Sequence, residues 1–190
     1  ITGLTAWQLY NNYRLPKGVA KITQQYIGVK VPPYRDRVYK SEEETIPHFL
    51  GYQNEAERLE AIKRLIKSER FHNVGIFLPT NDMVFDLYTK LTQDGYNVEC
   101  KYSLGTDSFI TLDFRTNLPK IMTYHSAKGL QFETVILPYC QPISMQDESA
   151  RKALYVAMTR TYKELYMMYI GDMPSPLNKV DKALYSTTTY

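Results

Sequence analysis

The feature that most constrains how this chain folds is an alternation. Short, nearly unbroken apolar runs are each separated by stretches whose apolar residues return at helical spacing. Val74 to Leu78 is such a run, ended by Pro79, and a run this apolar suits a strand buried on both faces. Thr80, Asn81 and Asp82 then offer helix caps. Met83, Val84, Leu87, Tyr88 and Leu91 follow on one helical face, and Gly95 predicts the stop. Upstream, Ala56, Leu59, Ala61, Ile62, Leu65 and Ile66 predict an amphipathic helix from Asn54 to Lys67. Downstream, strands are expected at Asn97–Tyr102, Ile121–Tyr124, Thr134–Tyr139 and Leu165–Ile170, with a helix from Glu148 to about Thr161. This order predicts an α/β layered fold with a mainly parallel central sheet and helices on both faces.

A chain of 190 residues, 44% hydrophobic, is long enough to bury one sizeable core. One domain is expected over residues 1–171. The segment 172–190, with two prolines and a polar YSTTTY end, is expected to be a loosely attached or disordered tail. Val31 to Pro47, with three prolines and mixed charges, reads as a surface connection. The chain opens on Ile1 rather than Met, so a segment of a longer polypeptide is expected. No basic flank precedes an apolar run, and no stretch approaches the roughly 20 apolar residues of a membrane span, so a cytoplasmic protein without membrane attachment is expected.

Cys100 and Cys140 lie far apart, without CxxC spacing or a nearby histidine, and read as two buried free thiols, with no metal site. The net charge of +3 excludes a protein that holds nucleic acid by bulk charge alone.

Three stretches carry candidate chemistry. In IMTYHSAKGLQFETVILP, residues 121–138, a strand end meets a turn in which Gly129 allows close backbone approach and Lys128 supplies a cation, a weak anion-site signal; from these residues alone a plain glycine turn with a solvated lysine is the preferred reading. In ESARKALYVAMTRTYKELYMMY, residues 148–169, Arg160 falls near a helix end, where a cation also stabilises the helix dipole. In LYNNYRLPKGVAKI, residues 9–22, Tyr13 and Arg14 precede Pro16, a residue suited to a first helical turn; they suit either a base and phosphate or surface packing.

Taken in order, these stretches resemble the motifs of superfamily 1 DNA helicases of the UvrD/Rep type. The family's NYR element is matched by Asn12-Tyr13-Arg14, its TxHxxKGLEF element by residues 123–132, and its YVAxTRA element by residues 155–161. FLPTND, residues 77–82, is a weaker match to a strand ending in an Arg-Ser/Thr-Asn element. The resemblance implies a RecA-like C-terminal motor lobe, of the P-loop NTPase type but without its own P-loop. Arg14 and Arg160 would be the catalytic fingers reaching the γ-phosphate of ATP. Tyr13 would stack on adenine, with Gln131, Lys128 and Gly129 also near the nucleotide. Asn81, Thr123 and His125 would contact single-stranded DNA or couple it to the nucleotide. The Mg2+ that accompanies ATP would be held by an N-terminal lobe of the same polypeptide, which, with single-stranded DNA, is the implied partner. Repair, replication and plasmid maintenance stay open as the biological role.

Several positions depart from the family pattern. Gln131 stands where a glutamate is usual, Pro79 at the arginine position, and Ala150 where an acidic residue commonly precedes Arg151 and Lys152. The large inserted subdomain of many relatives has no room between the Asn81 and His125 regions, which leave space for a helix and two or three strands. None of the nine glycines precedes a lysine, so this chain contains no phosphate-cradling P-loop. Two readings follow: half of an ATP-driven DNA helicase or translocase, inactive as an isolated fragment, or a degenerate helicase-like module that binds DNA or docks proteins without turnover.

Overall fold

The computed structural model describes residues 15–27, 45–68, 71–144 and 147–190, together with the backbone of Asn11–Asn12 and Val38–Tyr39. Its elements in chain order are β1 (Asn11–Asn12), α1 (Lys17–Ile27), β2 (Val38–Tyr39), β3 (His48–Tyr52), α2 (Glu55–Lys67), β4 (Val74–Leu78) and α3 (Asn81–Gln93). They continue with β5 (Glu99–Leu104), β6 (Asp107–Ile110), β7 (Lys120–Thr123), β8 (Phe132–Leu137), α4 (Glu148–Met158), β9 (Thr161–Ile170) and β10 (Ser186–Thr189). β1 and β2 pair in parallel as a separate two-stranded ribbon.

The central sheet runs β10-β3-β9-β8-β4-β7-β5-β6. Every neighbouring pair is parallel except the β5–β6 hairpin. The expected strands are present with ends shifted by at most two residues, except that β9 starts at Thr161, four residues before the expected Leu165. β4, all five of whose residues are buried, lies between β8 and β7, as its unbroken apolar run requires. Because side chains alternate across a strand, Ile76 and Leu78 join one core with Ile62 of α2 and Val84, Leu87 and Leu91 of α3. Phe77 joins the other with Val19 and Ile22 of α1 and Leu154, Ala157 and Met158 of α4. Helices therefore cover both faces.

Local chemistry sets the helix ends. Asn54 caps α2 by accepting the Glu57 amide, and Thr80 caps α3 by accepting the Met83 amide. Gly95, at φ +80°, turns the chain out of α3. Gly75 answers a packing need: a Cβ there would sit 2.7 to 2.8 Å from the rings of Phe77 and Phe132, which meet edge to face with centroids 5.3 Å apart.

Two regions differ from the sequence-based expectation. The segment after Gly171 is not loosely attached. Leu177, Val180 and Tyr185 are buried in the α1/α4 core, Tyr185 stacks on Phe49 at 4.2 Å, and Ser186–Thr189 pairs with β3. A polar run of hydroxyl residues becomes a strand because β3 offers it an edge, which composition does not reveal. The space between Asn81 and His125 holds α3, β5, β6 and β7 and no inserted domain, as its length requires. Most of the expected surface connection at Val31–Pro47 lies outside the described residues.

Candidate nucleotide and nucleic-acid faces

Those of the singled-out residues that are described fall at opposite ends of the central strands, joined by one short connection. At the carboxyl ends of β4 and β7, Asn81, Thr123 and His125 line a single open trough of about 440 Å³, together with Pro79, Thr80, Asp82 and Ser103 to Gly105. Three residues separated in sequence are thus brought together where open α/β sheets receive ligands. Each is held locally. The Asn81 side-chain oxygen accepts the Ser103 amide at 3.1 Å, tying the start of α3 to the hairpin. The Thr123 hydroxyl accepts the Ser126 amide at 3.1 Å and donates to the Ser126 hydroxyl at 3.2 Å, closing the turn after β7. The Tyr124 amide donates to the Leu78 carbonyl at 2.9 Å, so this turn starts beside β4. His125 projects to solvent from it.

Pro79 and His125 also line a second, more apolar pocket of about 270 Å³, walled by Tyr124, Tyr139, Ile143, Ala153 and Leu154. Tyr139 was not foreseen as a site residue. Its position just past the carboxyl end of β8 was the available signal. The buried Arg58 guanidinium lies 3.7 Å from the centre of its ring, and burial pushes the Tyr139 phenol pKa up.

The connection from β7 to β8, residues 124–131, returns from this edge to the amino edge of the sheet, passing over β4 on the α1/α4 side, where Ala127 is fully buried. It is short for a parallel crossover, which more often takes a dozen or more residues. Bonds from Ala127 N–H to Thr123 O, Lys128 N–H to His125 O and Leu130 N–H to Ala127 O wind it tightly. Gly129 adopts φ +86°, the left-handed region that favours glycine. Lys128 and Gln131 are exposed on it, and the Gln131 carbonyl accepts from the Asn73 side chain at 3.5 Å.

That connection ends beside Arg160. The Phe132 amide donates to the Arg160 carbonyl at 2.9 Å, where β8 and β9 begin side by side. The Arg160 side chain lies along the end of α4, with Nε donating to the Val156 carbonyl at 2.9 Å and Nη2 to the Thr159 hydroxyl at 3.2 Å. It therefore satisfies a helix-terminal carbonyl, the helix-stabilising role open to a cation at this position. Lys152, which lacks an acidic partner at Ala150, pairs instead with Glu148 at 2.7 Å. Tyr13 and Arg14 lie outside the described residues; the backbone of the preceding Asn12 pairs with Tyr39. Both cysteines are free and buried. No helix among the described residues is long and apolar enough to cross a membrane.

Comparison with known proteins bears on the fold. The UvrD-like helicase C-terminal domain family matches residues 120–168, from β7 through most of β9. No curated protein sequence matches the chain. Among solved structures, the C-terminal domain of a possible DNA helicase from Lactobacillus plantarum superposes with a TM-score of 0.66 at 21% identity, covering 92% of this chain and 98% of that one. The C-terminal domain of the DEAD-box protein Dbp5 superposes with a TM-score of 0.53 at 15% identity, covering 76% of this chain and 88% of that one. An arterivirus helicase, nonstructural protein 10 in complex with DNA, gives 0.50 at 11% identity, covering 75% of this chain and 35% of that one. The chain has the fold of a helicase C-terminal RecA-like lobe, and its segment 120–168 is similar to the UvrD-like helicase C-terminal domain.

Proposed function

We propose that this lobe is the second half of an ATP-driven DNA motor, binding single-stranded DNA on one edge of its sheet and presenting Arg160 to ATP held by an N-terminal lobe on the other. The observation that carries this reading is the connection 124–131. It joins the trough of Asn81, Thr123 and His125 directly to the edge where Phe132 is bonded to Arg160. A shift of a DNA strand at His125 would be felt seven residues later, at Phe132, which is bonded to the Arg160 backbone. The amino end of α3, carrying Thr80 and Asn81 into the trough, suits a phosphate through its dipole and first-turn amides, and His125 adds a donor.

At the opposite edge, an exposed ammonium on Lys128, an exposed amide on Gln131 and a guanidinium anchored at Nε suit a polyphosphate with a hydroxyl-bearing sugar. ATP supplies the phosphoryl group. Arg160, and Arg14 from the segment before α1, would offset charge that develops on it, while Tyr13 would stack on the base. A lobe with these groups and no cradle is expected to bind ATP weakly and not to hydrolyse it.

The test is fluorescence anisotropy of a labelled oligo-dT on the 190-residue chain, with Asn81→Ala and His125→Ala variants, alongside ATPase assay of the same preparation. Expected are DNA binding that weakens as salt rises, further weakening in both variants, and no ATP turnover. Equal affinity in wild type and both variants would remove the DNA-facing assignment of the trough. Turnover by the chain alone would remove the two-lobe assignment.

A further inference from the structure

We infer that the outer edge of β6 is a docking strand for an extended, basic and apolar segment of a partner protein. β6 ends the central sheet, and all four of its residues, Asp107 to Ile110, are exposed. Its hairpin closes through Gly105, at φ +60°, and Thr106, with Leu104 opposite Asp107. Backbone bonding alternates along such a ladder, so Asp107, Phe109 and Thr111 bond inward to β5, the last through its amide to the Cys100 carbonyl at 2.9 Å. Ser108 and Ile110 therefore turn their N–H and C=O groups outward. Natural edges of this kind are usually blunted by lysine, proline or a bulge. DSFI contains none of these residues, and its register with β5 is regular.

The side chains around this edge are apolar where solvent would favour polar ones. Phe85, Phe109, Ile110, Phe114 and Leu118 are five of the nine large exposed apolar side chains among the described residues, and all fall in α3, β6 or the loop after it. Phe85 meets Tyr102 at 5.4 Å, Tyr102 meets Phe109 at 5.4 Å and Phe109 meets Tyr88 at 5.9 Å, so four rings form one wedge between α3 and the hairpin. Phe85 and Phe109 remain 43% and 40% exposed at its rim. The loop that carries Phe114 and Leu118 is fixed from below. The buried Glu99 carboxylate accepts the Asp113 amide at 2.7 Å and the Thr116 hydroxyl at 2.5 Å, and the buried Lys120 ammonium donates to the Thr116 and Leu118 carbonyls at 3.1 and 3.0 Å. A rigid surface of aromatic residues is what protein interfaces use as an anchor.

Charge selects the occupant. Asp107 shares a strand face with Phe109, two residues on, and is in no ion pair among the described residues. Asp86, on the same helix as Phe85, is the partner of Lys90. On the edge strand itself, the Asp107 carboxylate repels the same residue of a second copy. It favours a segment in which lysine or arginine alternates with apolar residues, added to β6 as a further strand with its bonds to Ser108 and Ile110.

The test uses the peptides acetyl-Lys-Val-Lys-Val-Lys-Val-amide and acetyl-Glu-Val-Glu-Val-Glu-Val-amide, titrated into the isotopically labelled 190-residue chain with the amide resonances followed by NMR. Ile110→Pro removes an outward donor and no bond within the sheet, so the fold survives while the edge closes. Asp107→Lys changes an exposed side chain and reverses the rim charge. Expected are shifts at Ser108 and Ile110 with the basic peptide only, affinity at least tenfold weaker in Ile110→Pro at an unchanged melting temperature, and preference for the acidic peptide in Asp107→Lys. Equal response to both peptides, no response, or retention of the response in Ile110→Pro would overturn the proposal. Shifts of the same amides on raising protein concentration alone, or on adding oligo-dT, would replace the partner segment with a second copy or with DNA.

Discussion

The amide of Phe132 donates to the carbonyl of Arg160 at 2.9 Å, which fixes the end of the 124–131 connection to the end of α4. The Arg160 side chain is anchored there through Nε to the Val156 carbonyl at 2.9 Å. In a polypeptide carrying both lobes, Arg160→Ala is expected to cut DNA-stimulated ATP turnover by roughly 10³-fold or more while nucleotide binding changes little. Loss of the bond to Val156 also costs about 0.3–1 kcal/mol of stability. Turnover and thermal melting measured on one preparation separate the two: a lowered melting point with near-normal turnover leaves Arg160 as a helix cap only.

Gly129 holds φ +86°, and an added Cβ would meet nothing within 4 Å. The cost of Gly129→Ala is therefore backbone strain without a clash, about 1–2 kcal/mol. For a chain of this size that lowers the melting temperature by roughly 2–8 °C. An unchanged melting temperature would show that the connection relaxes out of the left-handed conformation.

Lys120 and Glu99 face each other at 3.5 Å with side chains 1% and 7% exposed. Lys120→Met leaves the Glu99 carboxylate buried without its cation and is expected to cost about 3–5 kcal/mol in urea unfolding. Adding Glu99→Gln removes the orphaned charge, so the double variant is expected to recover part of that loss. A double variant less stable than Lys120→Met would show that the carboxylate's bonds to Asp113 and Thr116 matter more than its charge.

Alkaline pH should destabilise the fold. Burial pushes the Cys100 thiol to about 11 and the Cys140 thiol to about 12, from an ordinary value of 9.0, and the Tyr52 phenol to about 12 from 10.0. These groups keep their protons longer folded than unfolded. Their contribution is complete below pH 9 and declines as pH rises towards 12, by up to about 1.4 kcal/mol per pH unit for each group titrating in the unfolded chain alone. Urea midpoints at pH 8, 9, 10 and 11 check this; a flat profile would mean that the thiols and Tyr52 reach solvent in the native state.

Much of the architecture was legible in local pattern. β4 and β8 are buried on both faces, so their apolar runs are nearly unbroken, and the α2 and α3 boundaries follow from the side chains of Asn54 and Thr80. β3 and β10 were not legible. HFLGY and STTT show no clear alternation, and both are strands because each completes the hydrogen bonding of a neighbour distant in sequence, β9 for β3 and β3 for β10. The candidate site divides in the same way. Thr123, His125, Lys128, Gly129, Gln131 and Arg160 stood out through motif resemblance, whereas Tyr139 and the hairpin tip at Ser103 to Gly105 carry no motif and belong to the grooves only by position.

By itself, then, the sequence determined which segments are strands and helices wherever burial is periodic or complete, since side-chain transfer from water acts residue by residue and leaves its period in the chain. It also determined that no phosphate cradle is present, because that cradle needs a contiguous glycine–lysine turn. Only the tertiary structure decided the strand order, the docking of residues 172–190, the burial of Lys120 against Glu99 and the bond between Phe132 and Arg160. Each of these satisfies polar groups between segments that lie apart in sequence. Such pairing is set by what the folded neighbours leave unpaired, and it leaves no period in the chain to read.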